Sequence, residues 1–341
     1  MKGKIGGSLV LLLGLLLVAA GLVLKFALLP TMAVWPDDVD STRHYDGTLV
    51  TMLNPAALAT MDLPNLFLAN IPVTVDRHVT TEAVDGNKAL VLEAATMFGP
   101  GGSPLQPTQE SWYAIDRKTT EEIPNFTDNP NVQDTRQGLV IGFPIGTEQR
   151  TYNGWSDDYQ ATVPVEFVAV EDHEGMSLLH FHSASDAAPE MDPAVLAMFP
   201  ASMPKATLAA LAPQLPLPAE MLQGLAALLP LLPDPVPLSY LYEYETDYWV
   251  ESTTGVLIDY TKDEIRYLSL GAGQVEVFHL TYAASDQSII DAKKDADDGK
   301  MMINLFGTII PWIAVGLGAL VALGGIFMLA RKRKPEPAAA S

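Results

Sequence analysis

The sequence predicts an α+β protein: a mostly β extracytoplasmic domain carrying short apolar helices, flanked by amino- and carboxy-terminal transmembrane helices. Three observations carry this expectation. Both ends are long uncharged apolar runs, the middle alternates polar and apolar residues in segments of strand length, and residues 191–238 are rich in proline and poor in charge.

Residues 5–24 form a run of twenty without a charge. At about 1.5 Å per residue such a run crosses a hydrocarbon layer of about 30 Å. It exceeds the apolar core of about 7–15 residues in a secretory signal peptide, so it reads as an uncleaved anchor. Residues 301–330 form a second uncharged run, with Pro311 and Trp312 near its start. Lys2 and Lys4 precede the first run, and Arg331, Lys332, Arg333 and Lys334 follow the second. The positive-inside rule then places both termini in the cytoplasm and everything between the runs outside, a two-pass topology in the cell membrane. The expected organisation is residues 1–30 as cytoplasmic amino terminus and first span, 31–300 as the outside domain, 301–330 as the second span and 331–341 as a basic tail. Gly7, Gly14 and Gly21 recur every seven residues on the first span, as do Gly318 and Gly325 on the second. Small residues at that spacing permit close helix approach, so the two spans are expected to pack on each other.

The chain carries 41 acidic and 20 basic residues, a formal charge of −21. Seven of the 20 bases lie in or beside the spans while 40 of the 41 acids fall within 31–300, which leaves that segment strongly acidic. Such a surface repels nucleic-acid phosphate and anionic lipid at long range. The absence of cysteine excludes disulfides, thiol nucleophiles and thiolate metal centres.

Alternation and turn residues mark the strands. VPVEFVAV at 163–170, a turn at 172–175 and MSLLHFH at 176–182 read as a hairpin. Residues 241–250 and 256–260 flank a second turn, and QVEVFHLTY at 274–282 alternates again. The polar stretch 286–300 suits a helix leading into the second span. YAIDRKTTEEI at 113–123 and YWVESTTGVLI at 248–258 both read as strand, turn, strand, a faint internal echo.

Residues 191–238 hold 10 of the 26 prolines and only four charges, Asp192, Lys205, Glu220 and Asp234. Prolines at helix starts with apolar residues between them predict short broken helices. Residues 218–229 are the clearest, with Met221, Leu222, Leu225, Leu228 and Leu229 on one stripe. Phe199, Met203, Leu208 and Leu211 continue the apolar character. So little charge cannot all face water. Either the segment packs on the sheet, or it forms a flap that admits acyl chains.

No catalytic motif is present: no Gly-x-Ser-x-Gly elbow, no phosphate-binding glycine loop and no His-Glu-x-x-His. The protein is therefore not expected to be an enzyme, and no cofactor is implied. His180 and His182 share one strand face. With His173 or Asp172 they amount at most to half a metal site, and they read as an ordinary strand face, so no metal is expected. The most distinctive block is 142–155 (GFPIGTEQRTYNGW), whose Phe143, Arg150, Tyr152 and Trp155 suit either a head-group ledge or a structural corner.

That block resembles the signature of an actinobacterial family of two-span envelope proteins labelled the PorA family. AVWP at 33–36, Asp40-Ser41-Thr42 and WVESTTG at 249–255 match as well, in the family's order. The resemblance covers nearly the whole chain apart from 191–238. It implies a part in envelope lipid or lipoglycan assembly beside lipid exporters or synthesis proteins, and supplies no catalytic residues. The two-anchor plan also resembles that of CD36-type lipid receptors. The word porin fits poorly, since a transmembrane β-barrel needs many strands with an apolar outer band.

The expected function is non-catalytic binding or transfer of an envelope lipid or glycolipid at the outer face of the cytoplasmic membrane. Phe199, Met203, Leu208, Met221, Leu222, Leu225 and Leu229 would bury acyl chains, and Phe143, Arg150, Tyr152 and Trp155 would hold the head group. The alternative is a membrane scaffold for envelope-synthesis machinery without a ligand. A glycan-modifying enzyme ranks third.

Overall fold

The computed structural model describes residues 2–271 and 273–331. The basic residues 332–334 fall outside the described residues. The chain forms two compact units, one from its two ends and one from Trp35–Ala296.

The end unit is helical. Lys2–Val23 is an α-helix, followed by a π-turn at Leu24–Leu28 and a last α-helical turn at Leu29–Met32. At the other end Asp286–Asn304 runs through a π-turn at Leu305–Ile309 into Ile310–Ala330. Ile5–Leu28 and the apolar part of Asp286–Ala330 are each long and apolar enough to cross a membrane. The two helices pack closely, as the glycine spacing predicts. A Cβ on Gly318 would lie 2.7 Å from the Gly14 carbonyl oxygen, and one on Gly21 would lie 2.6 Å from that of Pro311. Only glycine permits this approach. Lys25 donates to the Gly307 carbonyl at 3.1 Å, and its Nζ sits 5.4 Å from the Trp312 ring centroid.

The second unit is a curled, wholly antiparallel sheet. In chain order its strands are β1 (Asp40–Leu53), β2 (Phe67–Asp85), β3 (Lys88–Phe98), β4 (Gln109–Asp116), β5 (Tyr152–Ser156), β6 (Ala161–His173) and β7 (Met176–Pro189). A two-residue ribbon, β8 (Ser202–Met203) with β9 (Val236–Pro237), interrupts them. Then follow β10 (Ser239–Val250), β11 (Leu257–Ser269) and β12 (Gln274–Ala284). The ten long strands lie in the order β4-β3-β2-β1-β12-β11-β10-β7-β6-β5. The alternating segments of the sequence are all strands, and the β6–β7 turn has Glu174 and Gly175 at positive φ, as a tight two-residue hairpin requires.

The edge strands β4 and β5 do not stand free. Within the segment between them, Glu122 pairs with Ile115 of β4, Glu121 with Leu139, and Leu139 with Gly154 of β5. These bridges link the two edges and occupy backbone groups that would otherwise be open to another chain. The echoed segments share a strand and turn, but only 248–258 continues as a long hairpin; 113–123 closes with a single bridge.

The proline-rich segment forms short helices at Pro193–Leu196, Lys205–Leu211 and Ala219–Leu228. They cover one end of the sheet. Met203, Leu208, Leu211 and Leu225 are buried there with Leu66, Tyr240, Leu268, Val275 and Val277. Residues 286–296 of the carboxy-terminal helix pack on the outer face, where Ile289, Ala292 and Ala296 bury Leu178 and Ile258.

Candidate functional site

The inner face of the sheet encloses two adjoining chambers, of about 360 and 490 Å³. They share Val75, Glu93, Ala95, Asp157, Asp158, Lys262 and Tyr282 as walls. Both volumes fall in the range of small-molecule sites, about 300–1,000 Å³.

The smaller chamber is aromatic and polar. Tyr242, Tyr244 and Tyr248 point inward from alternate positions of β10, with Tyr260 of β11, Tyr282 of β12, Tyr45 of β1 and Tyr113 of β4. Four of the rings are contiguous: Tyr45 meets Tyr260 at 5.6 Å and Tyr282 at 5.7 Å, and Tyr248 meets Tyr260 at 5.4 Å; Tyr242 and Tyr244 stack on each other at 5.8 Å. Burial raises the hydroxyl pKa of all seven, so they are neutral donors and acceptors at physiological pH.

The larger chamber is apolar on one side. Met52, Leu53 and Leu58 line it beside Met97, Leu105, Phe278 and Leu280, and it is also bounded by Val195 of the first short helix of the proline-rich segment and by Met198, Phe199 and Pro200 just after that helix.

A row of charges runs from the junction of the chambers into the larger one. Lys262, Glu264 and Arg266 alternate along β11 and all face inward. Lys262 Nζ is 3.0 Å from Glu264. Arg266 donates to Glu190 at 3.0 Å and to Asp158 at 2.6 Å, and its guanidinium covers Tyr242 at 4.6 Å. Burial opposes ionisation of Glu264, but Lys262 and Arg266 override it and hold its carboxyl at about 2. Burial, with the neighbouring Asp158, pushes Glu190 up to about 7. On the opposite wall Arg77 pairs with Glu93 and donates to the Ile141 carbonyl at 3.1 Å. Among the described residues, every cation lining the chambers (Arg77, Lys262, Arg266) is thus matched to a carboxylate, and none is left unpaired to await an anion.

The residues expected from sequence separate in the structure. Met203, Leu208 and Leu225 are buried in the core under the flap, Leu229 packs against it, and Met221 and Leu222 lie toward its surface. Of the seven only Phe199 reaches the apolar chamber, stacking on Tyr240 at 4.9 Å. Of the four head-group candidates, Phe143 and Trp155 border the aromatic chamber. Tyr152 is buried against Phe143 and Phe181, and exposed Arg150 stacks on its ring at 4.0 Å. The 142–155 block is chiefly a corner. Gly255 sits at a φ of 72°, with space for no Cβ because the Phe143 carbonyl oxygen would be 2.6 Å away, and Gly146 donates to the Thr253 carbonyl at 3.1 Å. The blocks 142–155 and 249–255, far apart in sequence, therefore pack as one joint.

The inward tyrosines and the charged row escaped the sequence reading. Their signal is the spacing of two in YLYEY at 240–244 and in Lys262, Glu264 and Arg266. All six histidines lie on the opposite, outer face, each beside a carboxylate: His44 with Asp76, His78 with Asp40, His173 with Asp259, His180 and His182 with Asp247, and His279 with Asp263.

Comparison with known proteins agrees with the motif order. A family model described as Porin PorA matches residues 6–327. A protein named Porin PorA from Corynebacterium resistens is 22% identical over 98% of each chain. Among solved structures, a conserved hypothetical protein of Mycobacterium tuberculosis with a double hotdog fold covers 79% of this chain at 12% identity, with a TM-score of 0.15, too slight a likeness to bear on the fold. On the family match over nearly its whole length, the chain belongs to the PorA family.

Proposed function

We propose that this protein binds or transfers, without catalysis, an envelope lipid or glycolipid at the outer face of the cytoplasmic membrane. The observation that carries the reading is the junction of an apolar chamber with a tyrosine-lined one. An amphipathic molecule needs both. Its chain gains about 0.8 kcal/mol for each CH₂ removed from water, and its head group finds neutral hydroxyl partners. Because the lining cations are already paired, the head group that fits is uncharged. A phosphate would have to displace buried carboxylates from Arg266 or Arg77, and breaking such pairs is costly.

The two apolar terminal helices support a membrane setting, and the lysines and arginines flanking them support cytoplasmic termini with Trp35–Ala296 outside. The outward strand faces carry histidines and carboxylates instead of an apolar belt, which argues against a membrane-spanning barrel built from these strands.

The test is mass spectrometry of lipid extracted from the full chain, purified from its native host in amphipol. Wild type is expected to carry about one lipid per chain. Ala95→Trp, which fills the junction of the chambers, is expected to fold but emerge empty. An empty wild type, or equal lipid in both, overturns the reading.

A further inference from the structure

We infer that the outer face of the sheet carries a divalent transition-metal site formed by His182, Glu245 and Asp247. The donor atoms of these three side chains all lie within 4.8 Å of one another. Pairing of β7 with β10 sets His182 directly opposite Asp247, and Glu245 lies two residues before Asp247 on the same face.

One imidazole nitrogen and two carboxylates form a donor set suited to zinc, manganese or ferrous iron, with zinc favoured where nitrogen is present and geometry is loose. Donors on a single zinc ion, at about 2.0–2.2 Å each, stand no more than about 4.4 Å apart, so the three close on an ion by small side-chain rotations. His182 and Asp247 are partly exposed and Glu245 is exposed, so the site is open to solvent and keeps positions for water or an external ligand.

A supporting group is already in place. His180 Nε2 is 2.8 Å from the Asp247 Oδ1 that His182 Nδ1 also approaches, at 3.0 Å. His180 is itself fixed by stacking on Trp249 at 4.9 Å. That contact holds the Asp247 carboxylate in place and leaves its other oxygen for an ion, as outer-shell partners of metal ligands do. The adjoining groove, lined by Asp186, Glu243, Glu245 and Asp263, supplies a negative field that concentrates cations at the site.

The inference is independent of the lipid reading, because the site lies on the opposite face from both chambers. Its functional consequence is chemical: a bound ion with open positions gives this acidic surface a place to hold an anionic group that it would otherwise repel.

The test is Zn²⁺ titration, by calorimetry, of the full chain stripped with chelator and held in detergent. One ion per chain is expected. Glu245→Gln, an exposed change that leaves packing intact, and His182→Ala are each expected to weaken binding about tenfold or more. His180→Ala, a positioning residue, is expected to weaken it by about tenfold. His78→Ala, on the same face but distant in the sheet, is expected to leave it unchanged. No saturable binding by wild type, or binding that survives Glu245→Gln and His182→Ala undiminished, overturns the inference.

Discussion

Arg266 on β11 donates from Nε to Glu190 at 3.0 Å, and Glu190 in turn accepts from the backbone N–H of Asp192, the cap of the helix that bounds the apolar chamber. One buried guanidinium therefore ties the chamber's floor to the start of its roof. Removing it leaves Glu190, Asp158 and Glu264 without their shared cation. Arg266→Met is expected to destabilise Trp35–Ala296 by about 3–5 kcal/mol, measured by denaturant unfolding of the solubilised full chain. The double variant Arg266→Met, Glu190→Met is expected to recover part of that loss.

Glu122 sits on the segment that links the sheet's edges. Its Oε1 accepts from the Ala114 N–H at 3.2 Å, and its buried Oε2 has no partner. Burial pushes its carboxyl up to about 7. A raised acid binds its proton more tightly in the folded state, so its contribution to stability is greatest below about pH 4.5 and falls as pH rises to about 7. Glu122→Gln is expected to remove that part of the decline. Thermal unfolding of both proteins at pH 5 and 7 checks it: the difference between the two pH values should shrink in the variant.

Close packing of the two terminal helices makes some of their glycines irreplaceable and others not. Gly14 meets the Gly318 carbonyl and the Ala322 backbone, whereas Gly316 faces open space. Gly14→Val is expected to lower the stability of the helix pair by about 1–3 kcal/mol, the usual range for overpacking. Gly316→Val is expected to leave it unchanged. Detergent-dependent unfolding of the two variants separates them.

The flap is a core before it is a lipid contact. Leu225 is 1% exposed and Met221 is 38% exposed. Leu225→Ala is expected to cost about 2–5 kcal/mol, and Met221→Ala well under half as much. A comparably small loss at Leu225 would show that the flap is not packed as described.

The strands were legible because alternation and turn residues are local signals. VPVEFVAV, its turn and MSLLHFH fall within β6 and β7, and the apolar ends are long enough to be read by length alone. The flap's helices were legible from proline spacing, but not what they cover. Leu208 and Leu225 meet Val275 and Val277, which lie far off in the chain. The chambers were hidden for a different reason. Polar alternation ordinarily marks the wet side of a strand, and here Lys262, Glu264 and Arg266 face inward because Asp158, Glu190 and Tyr242 satisfy them there. Likewise His180 and His182 were visible as a pair, but their partner Asp247 comes from register between β7 and β10, which no local pattern encodes.

The most direct measurement of lipid binding in the chambers is photo-crosslinking with a diazirine-bearing fatty acid, fed to the native host and mapped by peptide mass spectrometry on the full chain. Labels are expected at Met97, Met198, Phe199 and Leu280, the walls of the apolar chamber, and are expected to vanish in Ala95→Trp. Labels confined to Ile5–Leu28 and residues 305–330, with none on the chamber walls, would contradict the proposed function.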